Sequence, residues 1–384
     1  MPSVLFYLTF FVYLTTFRYP FLSGLYTLFS LILFLRYYPV HADRSFERKQ
    51  AILALIVVLN LFLAPVLGVN WREISFLIYF VFLYLAFDNV ETDFSSFLKF
   101  VNVTYVIYVI LSYLVYFNYF NAGFRSAADV GINQFDDLLF DKYIITLIGF
   151  DGSTGGIDAY SMLVLILNFI FRKTRPEWFF ILLLALVNVI WSMRLTPWAM
   201  AAVPLLYFAL PSAVQKPKKF IFVLLIFLSF LVPAMIGSLM SIDDIIFAAI
   251  THGRADIWSG YLQLLRDSPL VQVLFGFRDH DLPFVEVWGG TALLNNPHSS
   301  YLRILLSFGG AMFVGFFIVM YRLLADLKER KSIYVVLAIL VAAITSDTIF
   351  YNHNPVFLFT LFVVSSSKTN FGLRIGGQLQ NYDP

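Results

Sequence analysis

Long apolar stretches alternate along this chain with short polar breaks, a pattern that predicts helices apolar around their whole circumference rather than along one stripe. Twelve such stretches read as membrane spans: residues 4–17, 21–35, 52–69, 74–87, 97–117, 157–171, 178–192, 198–210, 220–239, 300–324, 333–349 and 355–364. Several fall short of the roughly 20 residues that a perpendicular helix needs to cross the hydrocarbon. Those are expected to be extended by their flanks or packed inside a thick bundle. Two breaks are long, at 118–156 and 240–299, and the polarity of the second runs on from 242 to 306.

Composition turns this pattern into a fold class. Of 384 residues, 60% are hydrophobic and 19% aromatic, against an apolar share of about 45–50% in soluble domains. A soluble fold is excluded. The expectation is an all-α polytopic membrane protein, with residues 1–384 as one integral membrane domain of about twelve transmembrane helices and two long extracytoplasmic loops. The chain has no cysteine, which rules out disulfides, thiolate nucleophiles and thiolate metal sites. Residues 1–17 lack a basic leading region and a small-residue cleavage site, so they read as a span and not as a removable leader.

A net charge of +2 says little, but its distribution says more. With the N-terminus placed in the cytoplasm, seventeen of the 26 lysines and arginines fall on the inner side, and every short basic loop lies there. That is the positive-inside bias, and both long loops are then outside. Of the nine outer cations only Lys142 is a lysine; the others are Arg18, Arg72, Arg125, Arg194, Arg254, Arg266, Arg278 and Arg303. The planar fork of arginine matches phosphate and carboxylate and keeps its charge. Anion binding is one reading of that choice, and pairing with nearby aspartates is the other.

The second loop concentrates the polar chemistry. It holds four of those arginines together with His252, His280 and His298, in a protein of which only 13% is charged. Residues 250–265 have helical spacing: Ile257, Tyr261, Leu264 and Leu265 form one apolar stripe, and Arg254 lies one turn from Trp258. Pro269 ends this helix, which is expected to lie on the outer membrane surface with its arginine toward headgroups or toward a cleft. The following stretches, FGFRDHDLP and WGGTALLNNPHSS, read as loops. His298 stands where the loop meets the tenth span, with Ser299 or Ser300 available as the helix N-cap.

The order of these features resembles the O-antigen polymerase and O-antigen ligase superfamily. The resemblance rests on the Arg254–Trp258 pair in the outer loop, the turn Phe275-Gly276-Phe277, and Pro297-His298 followed by Tyr301-Leu302. It also rests on Gly309-Gly310 in the next span and on Ser192-Met193-Arg194-Leu195-Thr196 at the outer end of the seventh. Ser299 stands where relatives usually carry asparagine, and Met193 splits the usual Ser-Arg pair. The resemblance implies a GT-C-like glycosyltransferase bundle in the bacterial inner membrane, its active site facing the periplasm. The substrates would be undecaprenyl-diphosphate-linked glycans within membrane lipids, with the flippase and chain-length regulator of the same pathway as partners and no nucleic acid. A polymerase extends the glycan on the next lipid-linked repeat unit, whereas a ligase hands it to the lipid A core.

Transfer from a lipid diphosphate requires cations for the departing diphosphate and a base for the attacking sugar hydroxyl. Arg194, Arg254, Arg278 and Arg303 are the candidate cations, with no metal or other cofactor called for. His298 is the candidate base, since an unperturbed imidazole titrates near about 6.5. Trp258, Tyr301 and Trp288 are the candidate platforms for sugar rings, with Phe277 beside them. Each has a plainer alternative: Arg254 as a headgroup anchor or a partner of Asp256, His298 as a helix-start residue, Arg194 as an anchor beside interfacial tryptophans. His252 and His280 read as solvated loop residues, and the aspartates of the first loop show no calcium-loop spacing. The glycines of DGSTGG lack the phosphate-loop pattern. A transporter is the alternative of a different class, but it would place ionisable residues at span midpoints and show related halves, and neither is evident.

Overall fold

The computed structural model describes residues 2–18, 92–116, 156–171, 178–192, 195–209, 254–277, 283–287, 292–294, 296–327, 330–346, 355–365, 374–375 and 378–379, with isolated helical positions at 28, 32, 78, 80 and 83. The helices are α1 (Pro2–Arg18), α2 (Phe94–Tyr116), α3 (Gly156–Phe171), α4 (Phe179–Ser192), α5 (Leu195–Ala209), α6 (Arg254–Asp267), α7 (Leu270–Phe275), α8 (Ser300–Asp326), α9 (Arg330–Thr345) and α10 (Val356–Ser365). Eight of the expected spans are these helices, with ends shifted by a few residues. The spans expected at 52–69 and 220–239 and the first long loop lie outside the described residues, as do all but single positions of 21–35 and 74–87. Among the described residues two helices, α2 over 94–114 and α8 over 300–321, are long and apolar enough to cross a membrane by length and composition, although α8 is broken at Gly309.

The described residues are mostly helical, but two short antiparallel hairpins among them correct the all-α expectation. Strands β1 (Val285–Val287) and β2 (Ala292–Leu294) pair with Glu286 opposite Leu293. Strands β3 (Arg374–Ile375) and β4 (Gln378–Leu379) pair near the C-terminus. Part of the stretch read as loop is therefore a strand.

The bundle core is aromatic and aliphatic. Phe6 of α1 lies 5.7 Å from Phe97 and 5.4 Å from Phe100 of α2, and 5.1 Å from Phe359 of α10, ring centre to ring centre. Asp93 caps α2, its carboxylate accepting from the Ser96 N–H at 3.1 Å. Inside the bundle, polar side chains satisfy one another across helices, as an environment without water requires. Asn102 and Asn168 exchange amide hydrogen bonds between α2 and α3 at 3.2 and 2.9 Å. Tyr105 joins three helices: its hydroxyl accepts from Asn188 of α4 at 2.9 Å and bonds Ser161 of α3 at 2.8 Å.

The tenth expected span is not straight. Gly309 has φ 77° and ψ 177°, which breaks α8 into an arm, 300–308, and a longer segment, 310–326. A straight helix would set Tyr301 and Phe317 about 24 Å apart along its axis. Their rings instead stack with centres 5.3 Å apart, so the arm is turned sharply back over the bundle. Its residues 300–309 are buried throughout. The Tyr301 hydroxyl donates to the carbonyl of Leu340 in α9 at 2.8 Å, and the Ser300 hydroxyl and N–H both bond the carbonyl of Ser346. Thr345 in turn bonds Thr196 near the start of α5 at 2.8 Å. The starts of α5 and α8 and the end of α9 thus meet at one end of the bundle, as alternating chain directions demand.

Candidate active site

Helices α6 and α7 and the β1–β2 hairpin form a small module seated on the arm of α8. Its apolar centre is Ile257 and Tyr261 of α6, Phe277, Val285 of β1 and Leu306 of the arm, with Leu264 and Leu265 packed against it. The stripe that sequence periodicity finds on α6 is real. It faces protein, whereas a helix lying on the membrane surface would turn it to lipid.

Two glycines make this seat possible. Gly276 has φ 85°, and a Cβ there would sit 2.6 Å from the backbone nitrogen of Phe308. A Cβ on Gly309 would come within 3.0 Å of backbone atoms of Leu274 and Phe275, a separation real Cβ atoms essentially never show. Backbone meets backbone here, and any side chain would hold the two apart. The break at Gly309 takes the N–H of Gly310 out of the helical line. The freed carbonyl of Leu306 accepts from the Phe277 N–H at 2.6 Å. The turn that follows α7 thereby completes the hydrogen bonding of a broken helix.

On the same platform the segment before α8 is held tightly. The indole Nε1 of Trp258 donates to the carbonyl of Pro297 at 2.9 Å. This buried bond ties the helix that begins with Arg254 to the residue before His298. The side-chain oxygen of Asn296 accepts from the His298 N–H at 3.0 Å and from Nη2 of Arg303 at 3.1 Å. The first of these is an Asx turn. It holds His298 at φ 48°, the one positive φ outside glycine among the described residues. A left-handed conformation costs a side-chain-bearing residue roughly 1–2 kcal/mol, and strain of this kind collects at functional sites when the surroundings enforce it. Ser299 caps α8, accepting from the Leu302 N–H at 3.4 Å.

The structure sorts the expected residues. His298 is half-buried at the end of this turn, and Arg254 is half-buried one helical turn from Trp258. Arg303 is 3% exposed and committed through Nη2 to Asn296, so it supports the turn. Nη1 of Arg254 and Nε of Arg303 are buried donors with no hydrogen-bond acceptor among the described residues, although both residues make other interactions. Trp258 and Tyr301 are each 1% exposed, so neither offers a ring face to a sugar; they fix geometry instead. Arg194, Arg278 and Trp288 lie outside the described residues. Burial raises the carboxyl pKa of half-buried Asp256 above its ordinary value.

Sequence reasoning missed Asn296, although an asparagine before Pro-His is a signal for an Asx turn. The structure brings together Arg254 and Trp258, Phe275-Gly276-Phe277, Pro297-His298, Tyr301 and Gly309. Thr196, from the segment after the seventh span, is bonded at the same end of the bundle. Comparison of the chain with family models, with curated proteins and with solved structures finds no match.

Proposed function

We propose that this chain is a membrane glycosyltransferase that polymerises undecaprenyl-diphosphate-linked oligosaccharide repeat units into O-antigen or a related surface polysaccharide. In this reading about twelve helices form a GT-C-like bundle in the bacterial inner membrane, and the site around His298 faces the periplasm. The sugar hydroxyl of one lipid-linked unit attacks the anomeric carbon of another. The new glycosidic C–O bond forms as the bond to the diphosphate oxygen breaks, His298 takes the hydroxyl proton, and Arg254 balances the charge of the departing diphosphate.

The observation that carries the reading is the Trp258–Pro297 hydrogen bond. It joins the two segments to which the sequence assigns cation and base, though some forty residues of chain lie between them. The strained backbone of His298 adds support, because a residue with only a packing role gains nothing from a left-handed conformation.

The test is deletion of the gene and electrophoresis of the surface polysaccharide. Loss of the ladder with a single repeat left on the core supports a polymerase. Bare core with accumulated lipid-linked polymer assigns the ligase reaction instead, and an unchanged ladder rejects both.

A further inference from the structure

We infer that α7 is a membrane-anchoring element, its outward face bedded in the acyl-chain boundary of the leaflet beside the candidate site. Three of its six residues are large, apolar and exposed: Leu270 at 70%, Val271 at 50% and Leu274 at 40%. In a water-facing loop such a run is an unexplained apolar surface. Its position supplies the reason.

A Cβ on Gly310 would meet the carbonyl oxygen of Val273 at 3.6 Å, so α7 crosses α8 on the face that Gly310 shares with residues four and eight further on. Those residues are Val314 and Ile318, exposed at 58% and 38%. This is the stripe that the long segment of α8 turns away from the bundle, and α7 continues it at its upper end. Depth agrees. From Asp326 to Gly310 the helix rises about 24 Å, most of the roughly 30 Å hydrocarbon thickness, so α7 lies at the hydrocarbon edge. Exposed Gln272 on the same helix suits that boundary and not the bilayer centre. The occupant of this face is therefore lipid of the same bilayer. Because the backbone of α7 is locked to Gly309 and, through Phe277, to Leu306, the anchor fixes the height of the whole outer module over the membrane.

The chain has no cysteine, so single labels can be placed without a background. Leu270→Cys, Val271→Cys and Leu274→Cys are each made in the full chain, spin-labelled and reconstituted in phosphatidylethanolamine–phosphatidylglycerol vesicles. Collision with oxygen, which concentrates in hydrocarbon, is compared with collision with a water-soluble nickel chelate. Val314→Cys is the lipid reference, and Glu286→Cys, at an exposed position of β1, is the water reference. Oxygen contact exceeding nickel contact at all three positions, as at Val314, is the expected result. Nickel contact matching Glu286 overturns the inference, and so does low contact with both reagents, which would mean that protein covers the face. None of these readouts depends on the reaction the protein catalyses.

Discussion

Replacing Gly309 by alanine tests the crossing of α7 over α8 with one added methyl group. At φ 77° and ψ 177° the residue occupies a region open essentially to glycine alone, and a side chain there costs on the order of 1–3 kcal/mol. The new Cβ would also come within 3.0 Å of the backbone of Leu274 and Phe275. Neither atom is the end of a side chain that could swing aside, so overpacking adds about 1–3 kcal/mol. If the turn lifts away, the Phe277–Leu306 hydrogen bond goes too, at about 1 kcal/mol. Together these give about 3 kcal/mol or more, a large part of the roughly 5–15 kcal/mol typical of a folded protein. Equilibrium unfolding in mixed micelles, driven by sodium dodecyl sulfate and followed by circular dichroism, reads the loss. Gly276→Ala opens the same contact, so the double variant should fall well short of the sum of the two single losses. A Gly309→Ala protein within about 0.5 kcal/mol of the parent would show that the backbones do not meet there.

Three further outcomes follow from the site. His298→Gly relieves the positive φ and should leave stability unchanged or raise it by up to about 1 kcal/mol, while polymer formation in a deletion strain should be lost; a stabilised and active variant would deny His298 the proposed role of base. Trp258→Phe removes the donor to the Pro297 carbonyl and should destabilise by about 1–3 kcal/mol, with slower chain extension; equal stability and rate would mean that the bond does not hold the two segments together. Asp256→Asn reads out pH dependence. The folded carboxyl titrates above its ordinary 3.8, so the folded state binds the proton more tightly, and the parent loses stability as pH rises from 3.8 through the folded value and then levels off. The asparagine variant should lack that decline, and parallel melting curves for the two proteins across the same range would refute the burial of Asp256.

Apolar periodicity made most of the bundle legible, because a helix surrounded by lipid and other helices must be apolar all round, and Val, Leu and Phe at nearly every position report that directly. The stripe on α6 was legible for the same reason, although periodicity cannot tell a protein neighbour from lipid, and Ile257 and Tyr261 proved to face protein. The break in α8 was not legible. Gly309-Gly310 sits inside an unbroken apolar run, and glycine is common enough in membrane helices that only the backbone angle separates a kink from a close packing contact. The β1–β2 hairpin was missed because Trp288-Gly289-Gly290 reads as loop and each strand has three residues, too few for alternation to register. His298 was singled out correctly as standing at the start of a helix. Its positive φ is set by the Asx turn on Asn296, which the sequence could have signalled. The contacts of Arg303 and Trp258 that hold that turn in place are tertiary, and no local pattern encodes them.

The central claim is that Arg254 and His298 serve one transfer reaction, and chain extension by purified protein tests it most directly. Protein reconstituted with undecaprenyl-diphosphate-linked repeat units should convert them to a ladder of longer glycans. His298→Ala and Arg254→Ala proteins, inserted and folded like the parent, should leave the units unextended. Extension at the parental rate by either variant, or none by the parent when repeat units are supplied, would contradict the account.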